Sequence, residues 1–129
     1  MNPAHILVVD DNPTNLKLLT ATLKYAGLRV ATAPDAETAL ELLQQTAFDL
    51  ILMDVELPGM DGLTFTRLLK ATPTLCHIPI IAVTASAMKS DEDRALSAGC
   101  AGYITKPVDT RTLPGQIGAF LTRPAAAGN

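Results

Sequence analysis

The sequence predicts an α/β fold in which helices cover both faces of a five-stranded parallel sheet, giving a three-layer sandwich. Its 129 residues suit a single domain. Short aliphatic runs alternate with segments of helical periodicity five times, and three of these runs are continuously apolar, as in strands buried on both faces. Because a helix separates each strand from the next, we expect parallel strands joined by right-handed crossovers.

The five predicted strands are short and rich in aliphatic or β-branched residues. They cover Ile6–Val9, Leu28–Thr32, Leu50–Met53, Ile78–Val83 and Gly102–Ile104. The first, third and fourth are the continuously apolar runs, so we expect both of their faces to be buried. With five helices they make up a predicted domain of residues 5–121, and residues 122–129 are expected to form a flexible C-terminal tail.

The first two helices have recognisable starts. Asn12 is a predicted N-cap followed by Pro13 at the first helical position, and Gly27 ends the segment. The second helix is expected from about Asp35. Apolar residues recur at helical spacing in both segments, namely Leu16, Leu19 and Leu23 in the first and Ala39, Leu40 and Leu43 in the second.

The third and fourth helices follow the third and fourth strands. The third is predicted from about Asp61. We expect the hydroxyl of Ser90 to cap the fourth, because the acidic run 91–93 suits the positive end of a helix dipole, and Gly99 closes the segment. The apolar residues of the third helix are Phe65, Leu68 and Leu69.

The fifth helix is harder to place because Pro114 lacks the amide hydrogen that a helix interior requires. Asp109 is one candidate cap, but the helix could instead begin near Thr112. Pro114 and Gly115 together predict a shortened or kinked helix. Its expected apolar anchors are Phe120 and Leu121.

Composition argues against several classes of protein. The formal net charge of −3 disfavours nucleic-acid binding, which needs a dense basic face. No apolar run approaches the ~20 residues that span a bilayer, and the N-terminus lacks the pattern of a signal peptide. Cys76 and Cys100 are expected to be reduced thiols. These features predict a cytoplasmic protein without membrane insertion.

Carboxylates follow two of the predicted strands. Asp10 and Asp11 end the first and Asp54 ends the third, and in such folds ligands bind beyond the carboxyl ends of the strands. Two charges ~4 Å apart repel by about 4 kcal/mol at an effective dielectric of ~20, so we expect a cation among them. Mg²⁺ suits a site with few protein ligands and several waters. Lys106 supplies a second positive charge, so the site is suited to a phosphoryl group.

Four motifs in this order resemble those of a known family: VVDDNPTN, LILMDVELPGMDG, IIAVTA and GYITKP. The chain resembles the response-regulator receiver domain of two-component signalling over about Ile6 to Leu121. The resemblance implies a flavodoxin-like receiver fold with strand order 2-1-3-4-5. The run HIPIIAVTASAMKSDEDRALSAGC is similar to single-domain receivers of the DivK type and to receivers attached to hybrid histidine kinases.

The resemblance implies a role for each acidic residue. Asp54 is the implied phosphoacceptor, whose carboxylate attacks the phosphorus of a phosphohistidine on a partner. Asp11 and Asp54 are implied to bind Mg²⁺ directly, and Asp10 mostly through water. The backbone carbonyl of Glu56 is a further implied ligand.

The resemblance also implies roles for residues around the phosphoryl group. Lys106 and the hydroxyl of Thr84 would pair with its oxygens, and the small Ala85 leaves it access. A cis peptide before Pro107 would aim Lys106 into the site. Thr84 and Tyr103 form the implied switch: the hydroxyl moves toward the phosphoryl group, and the aromatic ring swings into the space it leaves. The face made by helix 4, strand 5 and helix 5 then changes.

The implied function is a phosphorylation-dependent switch in a two-component system or phosphorelay. The phosphoryl donor would be a histidine kinase or a histidine phosphotransfer protein. The signal would leave by protein contacts at the face of helix 4, strand 5 and helix 5, from a monomer or a phosphorylation-dependent dimer. We expect no DNA-binding domain in the few residues printed after Leu121. No enzyme activity is expected beyond self-phosphorylation and slow hydrolysis of the aspartyl phosphate.

Two positions flank the implied phosphoryl site. Glu56 lies two residues after Asp54, and Ser86 lies two residues after Thr84. We hypothesise that the carboxylate of Glu56 contacts Lys106 or an attacking water and so alters the lifetime of the phosphoryl group.

Three alternatives remain at this point. The chain could be a receiver excised from a hybrid histidine kinase, although Met1 and the natural-looking tail favour a stand-alone protein. It could be an aspartate-nucleophile phosphatase of the haloacid dehalogenase kind, which needs a DxD-type motif where this chain has Asp10-Asp11-Asn12. A flavodoxin-like FMN carrier needs a hydroxyl-rich phosphate loop and aromatic residues, and this chain has no tryptophan.

Overall fold

Ten regular elements alternate along Pro3 to Leu121, the part of the chain that the computed structural model describes. The strands are β1 His5–Val9, β2 Arg29–Ala33, β3 Leu50–Asp54, β4 Ile80–Thr84 and β5 Gly102–Thr105. The helices are α1 Pro13–Tyr25, α2 Ala36–Gln45, α3 Gly62–Lys70, α4 Lys89–Ala98 and α5 Leu113–Leu121. All strand pairs are parallel and their order is β2-β1-β3-β4-β5, which confirms the predicted fold. The predicted tail over 122–129 lies outside the described residues.

The three continuously apolar strands occupy the centre of the sheet, as their sequences predict. Side chains alternate between its two faces. Leu7 and Val9 belong to a buried cluster with residues of α2, α3 and α4. Ile6 and Val8 belong to a second cluster with residues of α1 and α5. The described part of the chain therefore has two apolar cores, one on each face, and the central strands β1, β3 and β4 contribute to both.

The predicted starts of the first three helices are confirmed. The side chain of Asn12 accepts hydrogen bonds from the first turn of α1, and those of Asp35 and Asp61 do the same for α2 and α3. The hydrogen bond that Asp61 accepts from the amide of Thr64 lowers the pKa of its carboxyl group. Gly99 ends α4 with a positive φ of 115°, a conformation that glycine adopts without strain.

One detail of the helix predictions is wrong. Helix α4 begins one residue before Ser90, and its N-cap, Met88, makes no side-chain capping bond. Ser90 therefore lies inside the first turn, where its hydroxyl is not a cap. Leu68, one of the three apolar residues named for α3, is 40% exposed. The buried stripe of this helix passes through Phe65 and Leu69, so Leu68 falls on its solvent side.

Helix α5 begins at Leu113, close to the later of the two predicted starts. The amides of Thr112 and Leu113 donate to the carbonyl of Asp109 in a preceding turn. Pro114 is then the second helical residue, where no intrahelical partner for an amide hydrogen exists. Phe120 and Leu121 pack only at the edge of the core, as partly buried residues. The fully buried residues of the helix are Leu113 and Ile117.

Two expectations from composition can be compared with the structure. Cys76 and Cys100 are both free thiols, the first exposed and the second buried. Over Pro3 to Leu121, no helix has both the length and the apolar character needed to cross a bilayer. A cytoplasmic location stays a prediction.

Candidate functional site

Three carboxylates meet at the carboxyl edge of the sheet. Strands β1 and β3 are neighbours, with Val9 paired to Met53, so the residues that follow them lie side by side. Asp10, Asp11 and Asp54 each place a carboxylate oxygen within 4.8 Å of the others. Asp10 and Asp54 are only 2% and 5% exposed, whereas Asp11 is exposed.

Short-range hydrogen bonds orient the two buried carboxylates. Oδ1 of Asp54 accepts from the amide of Glu56 at 2.9 Å. Oδ1 of Asp10 accepts from the amide of Asn12 at 2.9 Å, and its Oδ2 accepts from Nδ2 of Asn15 at 3.4 Å. Close carboxylates that are held in this way form a donor set suited to a hard divalent cation such as Mg²⁺.

Lys106 supplies the positive charge of the site. Its Nζ lies 3.1 Å from Oδ2 of Asp54 and 3.7 Å from Oδ2 of Asp10. Its amide donates to the carbonyl of Thr84 at 2.7 Å, and the peptide bond to Pro107 is cis, as predicted. Burial by itself would lower the pKa of Lys106, but the hydrogen bond and charge of Asp54, with the charge of Asp10, outweigh it and raise the pKa above its ordinary value.

Of the two hypothesised contacts of the Glu56 carboxylate, the one with Lys106 is not formed in this structure. Within the described part of the chain, the ion pairs of Lys106 are with Asp54 and Asp10, and the carboxylate of Glu56 is not among its partners. Asp10 and Asp54 are buried beside the ammonium group, whereas Glu56 is exposed. A contact between Glu56 and an attacking water stays a prediction, as does the ligand role of its backbone carbonyl.

Thr84 and Tyr103, the implied switch residues, are connected through one residue. Thr84 ends β4, beside the end of β3, and its buried hydroxyl accepts a hydrogen bond from the amide of Ser86 at 3.2 Å. The half-buried Tyr103 donates its hydroxyl to the carbonyl of Ser86 at 2.5 Å. These three residues and Glu56 line a cavity of about 310 Å³ beside the acids.

Two contacts at this edge were not predicted from the sequence. Asn15 was not assigned a role, although a helical side chain leans back toward the N-terminus, which brings its amide to Asp10. The hydroxyl of Ser86 donates to Asp91 on α4. No local pattern indicates this second contact, because it depends on the path of the loop between β4 and α4.

The comparison with known protein families agrees with this geometry. A sequence model described as the response regulator receiver domain matches residues 6–117. The chain belongs to the response regulator receiver family. Receivers of this family are signalling proteins, which disfavours the phosphatase and flavin-carrier alternatives.

Individual receivers show how far the similarity extends. The chain is 40% identical over 119 residues to the polar-differentiation response regulator DivK of Brucella anthropi, covering 92% of this chain and 97% of DivK. The solved chemotaxis response regulator CheY4 of Vibrio cholerae has 29% identity and a TM-score of 0.87, over 92% of this chain and 98% of that one.

A third receiver bears on the metal. The receiver domain of the sensor histidine kinase PA1611 of Pseudomonas aeruginosa has 34% identity and a TM-score of 0.86, over 94% of this chain and 99% of that one. Its structure has a magnesium ion coordinated in the active site cleft. Together with the three close carboxylates of the present receiver, this similarity indicates a site for a divalent metal.

Proposed function

We propose that this receiver is a phosphorylation-dependent switch of a two-component system or phosphorelay, with Asp54 as its phosphoacceptor. One observation supports this most strongly. Asp54 is a buried carboxylate at the sheet edge whose Oδ2 lies 3.1 Å from Lys106, beside two further acids. Such a site brings together a nucleophile, a fixed cation and a donor set for Mg²⁺.

In phosphoryl transfer, some residues around Asp54 would bind Mg²⁺ and another would pair with the phosphoryl group. Asp11 and Asp54 would bind Mg²⁺ directly, Asp10 mostly through water, and the carbonyl of Glu56 would complete the ligands. When bound, the ion would neutralise charge on the carboxylates and the phosphoryl oxygens. Lys106 stays close to Oδ2 of Asp54 and would pair with a phosphoryl oxygen as charge develops.

The proposed transfer exchanges one bond to phosphorus for another. A carboxylate oxygen of Asp54 forms the new bond, and the bond from phosphorus to the imidazole nitrogen of the donor's phosphohistidine breaks. The electron pair of that bond returns to the imidazole ring. Hydrolysis of the aspartyl phosphate returns the carboxylate and inorganic phosphate.

The proposed output begins at Thr84. Its hydroxyl would leave the amide of Ser86 and donate to a phosphoryl oxygen, which changes the surroundings of Tyr103. The face formed by α4, β5 and α5 would then contact a downstream protein, either from a monomer or from a phosphorylation-dependent dimer. We place the functional unit at residues 5–121 and its site of action in the cytoplasm, with a histidine kinase or histidine phosphotransfer protein as donor.

Phosphotransfer from purified histidine kinases of the source organism, in the presence of Mg²⁺, tests this function. We expect one phosphoryl group per chain, which is lost in Asp54→Asn and after chelation of the metal. Asp93→Asn removes an acid from the exposed surface of α4 and serves as the matched control, which should label like the wild type. Equal labelling of Asp54→Asn and Asp93→Asn would overturn the assignment of Asp54.

A further inference from the structure

Ser86 holds the loop between β4 and α4 with every polar group it has. Its amide donates to the hydroxyl of Thr84 at 3.2 Å, and its carbonyl accepts from the hydroxyl of Tyr103 at 2.5 Å. Its own hydroxyl donates to Oδ2 of Asp91 at 2.5 Å and accepts from the amide of Met88 at 3.2 Å. The backbone of Ser86 therefore connects the end of β4 to the ring on β5 and to the first turn of α4.

Asp91 is the only one of these partners that belongs to α4. The N-cap of this helix, Met88, offers no side-chain acceptor, so the carboxylate of Asp91 reaches back to Ser86 instead. The same carboxylate also forms an ion pair with Arg94, at 3.6 Å, in which the arginine is 69% exposed. An exposed pair of this kind adds little to stability, whereas a hydrogen bond from a half-buried hydroxyl to a carboxylate is charge-assisted.

We propose that Asp91 is a positioning residue for Tyr103, acting through Ser86. The direction of the Ser86 carbonyl is fixed by the anchors on its amide and on its hydroxyl. Without Asp91 the hydroxyl loses its acceptor on α4, the loop turns more freely, and Tyr103 loses the fixed carbonyl that holds it half-buried. This role rests on the proposed function, because Asp91 would set the equilibrium between half-buried and exposed Tyr103 before phosphorylation.

The same contact gives α4 a direct connection to the switch. When the hydroxyl of Thr84 turns away from the amide of Ser86, Asp91 still holds the hydroxyl of Ser86 to the helix. Displacement of the Ser86 backbone is then transmitted to the first turn of α4, which borders the proposed output face. A residue that only stabilised the helix through its dipole would neither hold Tyr103 half-buried nor transmit a displacement of Ser86 to α4.

The equilibrium of Tyr103 can be followed by ¹⁹F NMR of protein containing 3-fluorotyrosine. The chain has two tyrosines, and the other, Tyr25, is 96% exposed, so a Tyr25→Phe background leaves one signal to assign. In this background we compare Asp91→Ala, Asp91→Asn, Ser86→Ala and the double variant Ser86→Ala/Asp91→Ala. The matched control is Asp93→Ala, which removes an exposed acid from the same part of α4.

The expected result is specific to the proposed route. In Asp91→Ala and Ser86→Ala the ratio of exposed to half-buried Tyr103 should rise roughly threefold to tenfold, the range for loss of one hydrogen bond. Asp91→Asn retains an acceptor oxygen and should restore most of the half-buried signal, while Asp93→Ala should match the parent. The double variant should equal Ser86→Ala alone, because Asp91 acts through Ser86.

Two results would overturn the inference: a Tyr103 signal in Asp91→Ala that matches Asp93→Ala, or additive effects in the double variant. Urea unfolding of each variant shows whether it is folded, and the comparison of Asp91→Asn with Asp91→Ala keeps the test valid if one variant is unstable. The proposed function is tested separately by adding beryllofluoride and Mg²⁺ to the parent protein. Failure of the parent to bind one beryllofluoride would count against Asp54 as the phosphoacceptor. It would not change the measured effect of Asp91 on the position of Tyr103 in the unphosphorylated protein.

Discussion

Neutralising Asp11 should stabilise the metal-free protein and weaken its response to Mg²⁺. Asp11 is the exposed member of the three carboxylates, so Asp11→Asn removes one charge with little change in packing. In the absence of a cation, this charge is repelled by those of Asp10 and Asp54. With Mg²⁺ bound, the same charge is expected to be a ligand, so the substitution acts in opposite directions in the two conditions.

The separation of the carboxylates sets the magnitude. At the 4.8 Å limit of the cluster, the repulsion of one pair is about 3.5 kcal/mol at an effective dielectric of ~20 and about 0.9 kcal/mol at that of water. Because Asp11 is exposed, the value for water is the better guide, and the nearby charge of Lys106 offsets part of the repulsion from the two neighbours. We expect Asp11→Asn to raise the free energy of unfolding by about 1 kcal/mol without metal.

Magnesium should cancel the higher free energy of unfolding expected for metal-free Asp11→Asn. A ligand at a hundred times its Kd stabilises a folded protein by about 2.7 kcal/mol. If the loss of Asp11 weakens binding about tenfold, the same concentration gives about 1.4 kcal/mol. Urea unfolding followed by circular dichroism, with excess chelator and with Mg²⁺, measures both increments. Glu41→Gln, which removes an exposed acid from α2, is the control for net charge.

Either of two outcomes would contradict this role of Asp11. In chelator, Asp11→Asn could unfold at the same urea concentration as Glu41→Gln, which would mean that the acids do not repel one another. With Mg²⁺, Asp11→Asn could gain as much stability as the wild type, which would mean that Asp11 does not contribute to the metal site.

Three further predictions concern the loop and helix that follow Asp54. Asp61→Ala should lower the free energy of unfolding by about 1 kcal/mol through loss of the N-cap, and Asp61→Asn by less, as measured by urea unfolding. The amide of Thr64 lowers the pKa of Asp61, so the stability that this cap contributes is complete above the carboxyl's ordinary pKa and is lost as the pH falls through the folded-state pKa. The free energies of unfolding of Asp61→Ala and the wild type should therefore converge in acid. A difference that stays constant with pH would show that the charge of the cap does not matter. Gly62→Ala would place a Cβ 2.7 Å from the carbonyl oxygen of Asp54, and we expect a loss of about 1–3 kcal/mol and slower phosphorylation; equal stability to the wild type would contradict the close packing. Glu56→Gln should lengthen the half-life of the aspartyl phosphate by about two- to tenfold, as for one lost hydrogen bond to the attacking water, and an unchanged half-life at saturating Mg²⁺ would end that hypothesis.

Local signals made much of this fold predictable. Asn12 was predicted as a cap, and helix starts were predicted near Asp35 and Asp61, which the structure shows to be caps as well. Such starts are local, because a cap needs only its own side chain and the next few amides. The acids of the site could be predicted because parallel strands bring their carboxyl ends to one edge whatever the loops do.

The errors arose where several distant groups compete. Lys106 could have paired with Glu56, but its ion pairs are with the buried Asp54 and Asp10, and only the folded chain shows which acceptors it takes. The start of α4 depends on how the loop of Ser86 approaches it. In α5, the segment Leu113–Leu121 has no charged residue, so it offers no polar side from which the buried one could be deduced.

The two apolar cores bury the central strands on both faces but leave the edge strand β5 only partly buried. The acids follow central strands that are packed against helices on both faces of the sheet, so we expect the backbone around the proposed phosphorylation site to be rigid. Tyr103 lies on the marginal strand β5, whose residues are only partly covered. Substitutions in β5 are therefore expected to alter the proposed output face while the geometry of the acids on the central strands is preserved.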